Sequence, residues 1–174
     1  MQKINQILIT GLPGCGKTTL INKIAATIEE RHYGFFTSEI RQHSERVGFE
    51  VETYSGKKGI LAHVNIRSPY KVTIYGVDLE AFENIALPEL EKALHSGSLL
   101  LIDEIGKMEL FSQKFKELLQ EVFKSKIRMI ATIIYRPEPF CDMLKAIPGI
   151  NTLELHRDNH GEILKIVSGY LANS

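Results

Sequence analysis

Charge of neither sign is in excess in this chain, where 21 Lys and Arg balance 21 Asp and Glu. That balance supplies no global attraction to nucleic acid or to an anionic membrane surface. Cysteine is scarce, with only Cys15 and Cys141, too few for a disulfide framework. Both read as free thiols in a reducing compartment. No apolar run approaches the roughly 18 residues a membrane helix needs. No N-terminal stretch joins a charged start, an apolar core and a small-residue cleavage site. A cytoplasmic protein is therefore expected, with no membrane partner. Internal repeats and low-complexity segments are absent as well. A length of 174 residues suits one domain, spanning 1–174, with a full hydrophobic core, and a monomer is expected.

What the chain does contain is a glycine-rich loop. Gly11-Leu12-Pro13-Gly14-Cys15-Gly16-Lys17-Thr18 fits the phosphate-binding pattern G-x-x-x-x-G-K-[ST]. It follows the apolar run Ile7-Leu8-Ile9 and precedes a helical stretch from Thr19 to Glu30. In that context a strand ends, the loop curls, and a helix starts with unpaired amide hydrogens that form an anion site. Glycines let the backbone approach the phosphates and adopt positive φ. Lys17 would reach the β and γ phosphates, and the Thr18 hydroxyl would ligate Mg²⁺. Thr19 closes the nucleotide-contacting stretch. A nucleoside triphosphate with Mg²⁺ is the expected ligand.

The rest of the chain alternates between strand and helix signals. Strands are expected at 5–10, 34–40, 98–103, 128–134 and 151–155, with helices at 17–30, 79–95, 112–124, 137–146 and after Asp158. Asp78 is the expected cap of the second helix, and Pro88 should kink or split it. This alternation predicts an α/β fold with a largely parallel sheet and helices on both faces. Residues 42–78 break the pattern. Val47–Tyr54 and Ile60–Val64 flank a turn cluster, which predicts a β-hairpin inserted into the core. Its basic residues suit either a solvated sheet edge or a nucleic-acid contact.

The run Leu99-Leu100-Leu101-Ile102-Asp103-Glu104 is a buried strand ending in two acids. Asp103 would hold Mg²⁺, usually through water. Glu104 would lie where the γ-phosphate ends and orient or deprotonate an attacking water.

With these elements in place, the chain resembles the cancer-related nucleoside-triphosphatase family, small P-loop enzymes also found in thermophilic bacteria and archaea. The motifs that carry the resemblance are the loop Gly11 to Thr19, the run Gly34-Phe35-Phe36-Thr37-Ser38-Glu39-Ile40-Arg41, Arg46-Val47-Gly48-Phe49, and the long stretch Leu101 to Ser112. The resemblance implies a RecA-like fold and Mg²⁺-dependent hydrolysis of ATP, GTP, CTP and UTP with loose base preference. It implies phosphate binding by Gly11, Gly14, Gly16, Lys17 and Thr18, with Glu104 as catalytic carboxylate. The family's Asn-Arg at the last helix is echoed only as Asn159-His160, which removes the permanent charge at that position.

Other residues keep two readings. Lys107 either stabilises transition-state charge or pairs with Glu109 or Glu104. Glu39 and Arg41 either serve the site or form a structural ion pair. Arg136 is either a γ-phosphate sensor or a surface arginine. His156 and His160 lack metal-ligand context. No Asn-Lys-x-Asp run supports guanine specificity. Hydrolysis is the leading reading. Transfer to a nucleoside or nucleotide acceptor is an alternative, weakened by the lack of an arginine-dense lid. A nucleic-acid-stimulated ATPase is a further alternative.

Overall fold

The computed structural model describes residues 5–172. One nine-stranded sheet runs through it. Its strands are β1 (Gln6–Thr10), β2 (His32–Gln42), β3 (Glu45–Thr53), β4 (Lys58–His63), β5 (Lys71–Val72), β6 (Tyr75–Val77), β7 (Leu99–Ile105), β8 (Met129–Ile133) and β9 (Asn151–Glu154). The helices are α1 (Lys17–Thr27), α2 (Leu79–Ser96), α3 (Gln113–Lys124), α4 (Pro139–Lys145) and α5 (His160–Ala172), with a 3₁₀ turn at Glu109–Phe111.

The strand order is β5-β6-β4-β3-β2-β7-β8-β1-β9. From β2 to β9 all neighbours are parallel. From β2 to β5 they are antiparallel. The region 42–78 is thus more than an inserted hairpin. Its strands β3 and β4 form the hairpin read from the sequence, but they continue the main sheet, and β5 and β6 widen it further. The reason lies in β2, which runs to Gln42 and offers its free edge to β3.

Parallel strands covered on both faces need apolar residues at every position, and β1, β7 and β8 are buried almost throughout. Alternate residues feed two cores. Leu8, Leu100, Ile102 and Ala131 join Phe35, Phe82 and Phe115 under α2 and α3. Ile7, Ile9, Leu101 and Ile130 join Leu20, Ile24, Ile163 and Val167 under α1 and α5. Phe35, Phe82 and Phe115 are fully buried and meet edge to face, with centroids 5.2–5.9 Å apart, a geometry that favours the ring quadrupoles.

The Asp78 carboxylate accepts from the Ala81 N–H at 2.9 Å and caps α2. Pro88 sits inside α2 without dividing it. Ser112 caps α3 by accepting from the Phe115 N–H. The fourth helix begins at Pro139, two residues later than the sequence suggests, because Glu138 caps it. The last helix begins at His160 rather than directly after Asp158. Among the described residues no helix is long and apolar enough to cross a membrane. Cys15 and Cys141 are both free and buried, as expected.

Gly34 fixes where β2 meets β7. It has φ of 130°, and a Cβ there would lie 1.7 Å from the Leu101 carbonyl oxygen. Its N–H donates to the buried carboxylate of Glu89. Gly34→Ala should therefore destabilise the fold by about 3 kcal/mol or more, through overpacking and a strained φ. Chemical denaturation would measure this, and a loss near zero would contradict the close approach.

Candidate active site

Strand β1 ends at Thr10, and the loop delivers the chain into α1 through Gly16, whose φ is 98°. No side chain caps α1 and no acid lies in its first turn, so its leading amides remain available to an anion. Gly14 is also at positive φ. Lys17 folds back over the loop, donating from Nζ to the Gly11 carbonyl at 2.8 Å and to that of Leu12 at 3.4 Å. Leu12, Pro13, Thr18 and Thr19 are exposed, whereas Cys15 is buried in the α1 core.

The loop is braced from behind. A Cβ on Gly11 would stand 2.5 Å from the Leu155 carbonyl oxygen. A Cβ on Gly16 would stand 2.6 Å from the His160 ring. His160 donates from Nε2 to the Cys15 carbonyl at 2.7 Å. At the position where the resemblance would place arginine, this chain thus has a ring that packs on the loop and holds its backbone. The sequence did not indicate this role. It follows from α5 starting beside α1.

Strand β8 separates β7 from β1, and it supplies a partner for the acid at the tip of β7. Asp103 is 1% exposed, and its Oδ1 accepts from the Thr132 hydroxyl at 2.5 Å. Thr132 was not singled out in the sequence, although it is the one polar residue in Met129–Ile133. Burial pushes the Asp103 carboxyl up, while the Thr132 and Thr18 hydroxyls and the Lys17 cation pull it back. Its other oxygen, Oδ2, is buried with no hydrogen-bond partner. An unpartnered carboxylate oxygen close to a threonine hydroxyl is a hard oxygen donor set that fits Mg²⁺. The only other such orphan among the described residues is the Tyr54 hydroxyl. Burial and the charge of Asp103 push its pKa well above the usual phenol range.

Glu104 follows through a cis peptide bond. Burial raises its pKa, Lys17 lowers it and Asp103 raises it. Its carboxylate has a neighbour that the sequence offered only as a partner for Lys107. The 3₁₀ turn buries Glu109 to 5% exposure. Glu104 Oε1 and Glu109 Oε2 each lie 3.1 Å from the point where a side chain on Gly106 would begin. Burial, then the charge of Glu104, pushes Glu109 up to about 8, against hydrogen bonds from the Glu109 and Gly106 backbones. Glu109 therefore keeps its proton at neutral pH, chiefly because it is buried and secondly because Glu104 lies nearby. Lys107 is exposed and pairs with neither acid.

A cleft of 510 Å³ joins these parts. It is lined by Gly11, Pro13 and Lys17 of the loop and α1, by Glu104, Lys107 and Glu109, and by Arg46 and Arg136. Glu39 is committed elsewhere, to Arg41 at 2.6 Å and Arg46 at 2.9 Å, and both cations lower its pKa. The structural reading of Glu39 and Arg41 therefore holds. Lys57 and Lys58 near the hairpin turn are engaged within the chain, with the Asn84 carbonyl and the Glu50 carboxylate. His156 lies 3.6 Å from Glu154, and no cluster of three His, Cys, Asp or Glu side chains suited to a metal occurs among the described residues.

The raised Glu109 fixes a sign for stability. The folded state holds its proton up to about 8, whereas the ordinary carboxyl releases it near 4.5. The stability this burial allows is present below the lower value and is lost as pH rises toward the upper one. Glu109→Gln, which mimics the neutral acid, should raise Tm, with a gap over the native chain that widens across that interval. Thermal unfolding against pH checks this. A pH-independent gap would contradict a buried, proton-bearing Glu109.

Comparison with known proteins agrees with this geometry. A family model described as NTPase matches residues 6–168. Nucleoside-triphosphatase THEP1 of Thermotoga petrophila is 43% identical over 160 residues, covering 92% of this chain and 89% of that one. The cancer-related nucleoside-triphosphatase of Homo sapiens is 40% identical over 144 residues, covering 76% of each. The crystal structure of THEP1 from Aquifex aeolicus superposes with a TM-score of 0.86 at 38% identity, covering 93% of this chain and 96% of that one. The solution structure of the human cancer-related nucleoside triphosphatase gives a TM-score of 0.82 at 32% identity, covering 98% of both. With a loop, an acid pair and a fold of this kind, the chain belongs to the nucleoside-triphosphatase family.

Proposed function

We propose that the chain hydrolyses nucleoside 5'-triphosphates to diphosphate and phosphate, with Mg²⁺ and with little preference among ATP, GTP, CTP and UTP. The observation that carries this reading is Glu104, a half-buried acid in the same cleft as the phosphate-loop lysine. Residues Gly11 to Thr19 would wrap the phosphates with backbone amides. Lys17 would leave the Gly11 and Leu12 carbonyls for the β and γ oxygens, a switch between equivalent acceptors that costs little in hydrogen bonds. Thr18 and Asp103 would hold Mg²⁺, which when bound neutralises phosphate charge.

Glu104 then orients a water in line with the γ-phosphorus and accepts its proton. Its raised pKa suits that task, since a base works best when its pKa approaches the working pH. Lys107, unpaired on the wall of the cleft, would offset the charge that develops on the transferred group. The protonated Glu109 beside Glu104 adds no second negative charge to the site. The protein would act as a cytoplasmic monomer, with neither membrane nor nucleic acid as partner. P-loop enzymes that lack an inserted arginine turn over at about 10⁻⁴ to 10⁻³ per second, and slow turnover of that kind is expected here.

Phosphate release from the four nucleotides tests the reading. Glu104→Ala should lower the rate by about 10² to 10⁴ while nucleotide binding survives. Lys17→Ala should weaken both binding and turnover. Tight binding with negligible release, unchanged by Glu104→Ala, would overturn it.

A further inference from the structure

The cleft has room for more than a phosphate tail and a water. It measures 510 Å³, within the range of about 300 to 1,000 Å³ typical of small-molecule sites. A triphosphate tail would occupy only the end at Gly11, Pro13 and Lys17. Beyond Glu104 the cleft runs on over the antiparallel half of the sheet, past Thr37, Arg46, Phe49 and Leu61 to Val72 and Thr73. There it shares Val72, Thr73 and Lys107 with a second hollow of 450 Å³ that also reaches Lys71 and Phe111.

The chemistry of this far end is consistent. Its walls are apolar at Phe49, Leu61, Val72 and Phe111, and the cations Arg46, Lys71, Lys107 and Arg136 outnumber the one acid of the second hollow, Glu138. Arg46 stacks over the rings of Phe49 and Tyr75 at 5.2 and 5.6 Å, and Glu39 anchors it from behind. Lys71, Lys107 and Arg136 make no ion pair among the described residues. The acid of the second hollow, Glu138, is committed to the Cys141 N–H at 2.8 Å. Apolar walls with unpaired cations suit a ligand that has a planar or apolar body and an anionic group.

We propose that this end of the cleft is an acceptor site, and that the chain transfers the γ-phosphoryl group to a small anionic acceptor of the nucleoside monophosphate type. The proposal rests on the nucleotide site and the base assigned above. An acceptor oxygen forms the new bond to the γ-phosphorus as the β–γ bridging bond breaks. The nucleoside diphosphate leaves with that electron pair, and any proton on the acceptor oxygen passes to Glu104 and then to solvent. When no acceptor is bound, water takes its place and the same steps release phosphate. The lack of an arginine-dense lid argued against transfer at the level of sequence. In the fold the cations come instead from β3, β5, the turn after β7 and the loop after β8, so no single segment is rich in them.

The test incubates the full chain with Mg²⁺ and γ-labelled ATP, alone and with millimolar nucleosides and nucleoside monophosphates of each common base. Label should appear in one acceptor while phosphate release falls to match. Val72→Trp, which fills the far end, should cut transfer by about tenfold or more and leave acceptor-free phosphate release within about twofold of native. Lys71→Glu, an exposed change that does not threaten folding, should raise the acceptor's KM by about tenfold with kcat retained. Normal phosphate release with no labelled acceptor overturns the proposal and leaves the hydrolase intact. Transfer that is equal in native, Val72→Trp and Lys71→Glu chains overturns the placement in this cleft. Neither phosphate release nor transfer in the native chain overturns the hydrolase reading and this one together.

Discussion

Asp103 is where three separate parts of the chain meet. Its backbone lies near the carboxyl end of the strand β7, its Oδ1 is held by Thr132 from the neighbouring strand β8, and Thr18 and Lys17 approach from the phosphate loop. A carboxylate this deeply buried is costly unless its oxygens are satisfied. One oxygen is satisfied and the other is not. The parallel pairing of β7, β8 and β1 is what makes this meeting possible, because it brings the carboxyl ends of all three strands to one edge. Glu104, Glu109 and the cleft are placed relative to that point.

The electrostatics of the site separate its acids by environment. Glu104 keeps the cation of Lys17 as a partner, whereas Glu109 is sealed under the 3₁₀ turn and keeps its proton. Two carboxyls that both border Gly106 therefore sit in different surroundings. The arrangement is bought with stability.

The antiparallel strands do more than shield the edge of β2. They carry Arg46, Phe49, Leu61 and Val72 to the wall of the cleft, so the edge that bears the glycine loop and the acids faces an apolar, cationic surface. The anchoring of Arg46 by Glu39 and its stacking on Phe49 and Tyr75 hold this wall in place without a ligand.

Much of this was legible in the order of residues. A glycine loop between an apolar strand and a helix has one common physical meaning, and four apolar residues before two acids read as a buried strand with its charges at the tip. The cap at Asp78 was equally local, since a capping side chain reaches only three residues ahead. The sequence could not show that Thr132 holds Asp103, that His160 braces the loop through the Cys15 carbonyl, or that Glu109 and Glu104 both border Gly106. Nor could it show that the inserted strands join the main sheet rather than standing apart from it. Local chemistry determined the motifs, because glycine conformation, capping and burial patterns act over a few residues. Tertiary structure alone decided which charges share a site, because a buried group's protonation and partners depend on what strand order brings within a few ångströms, however far apart in the chain.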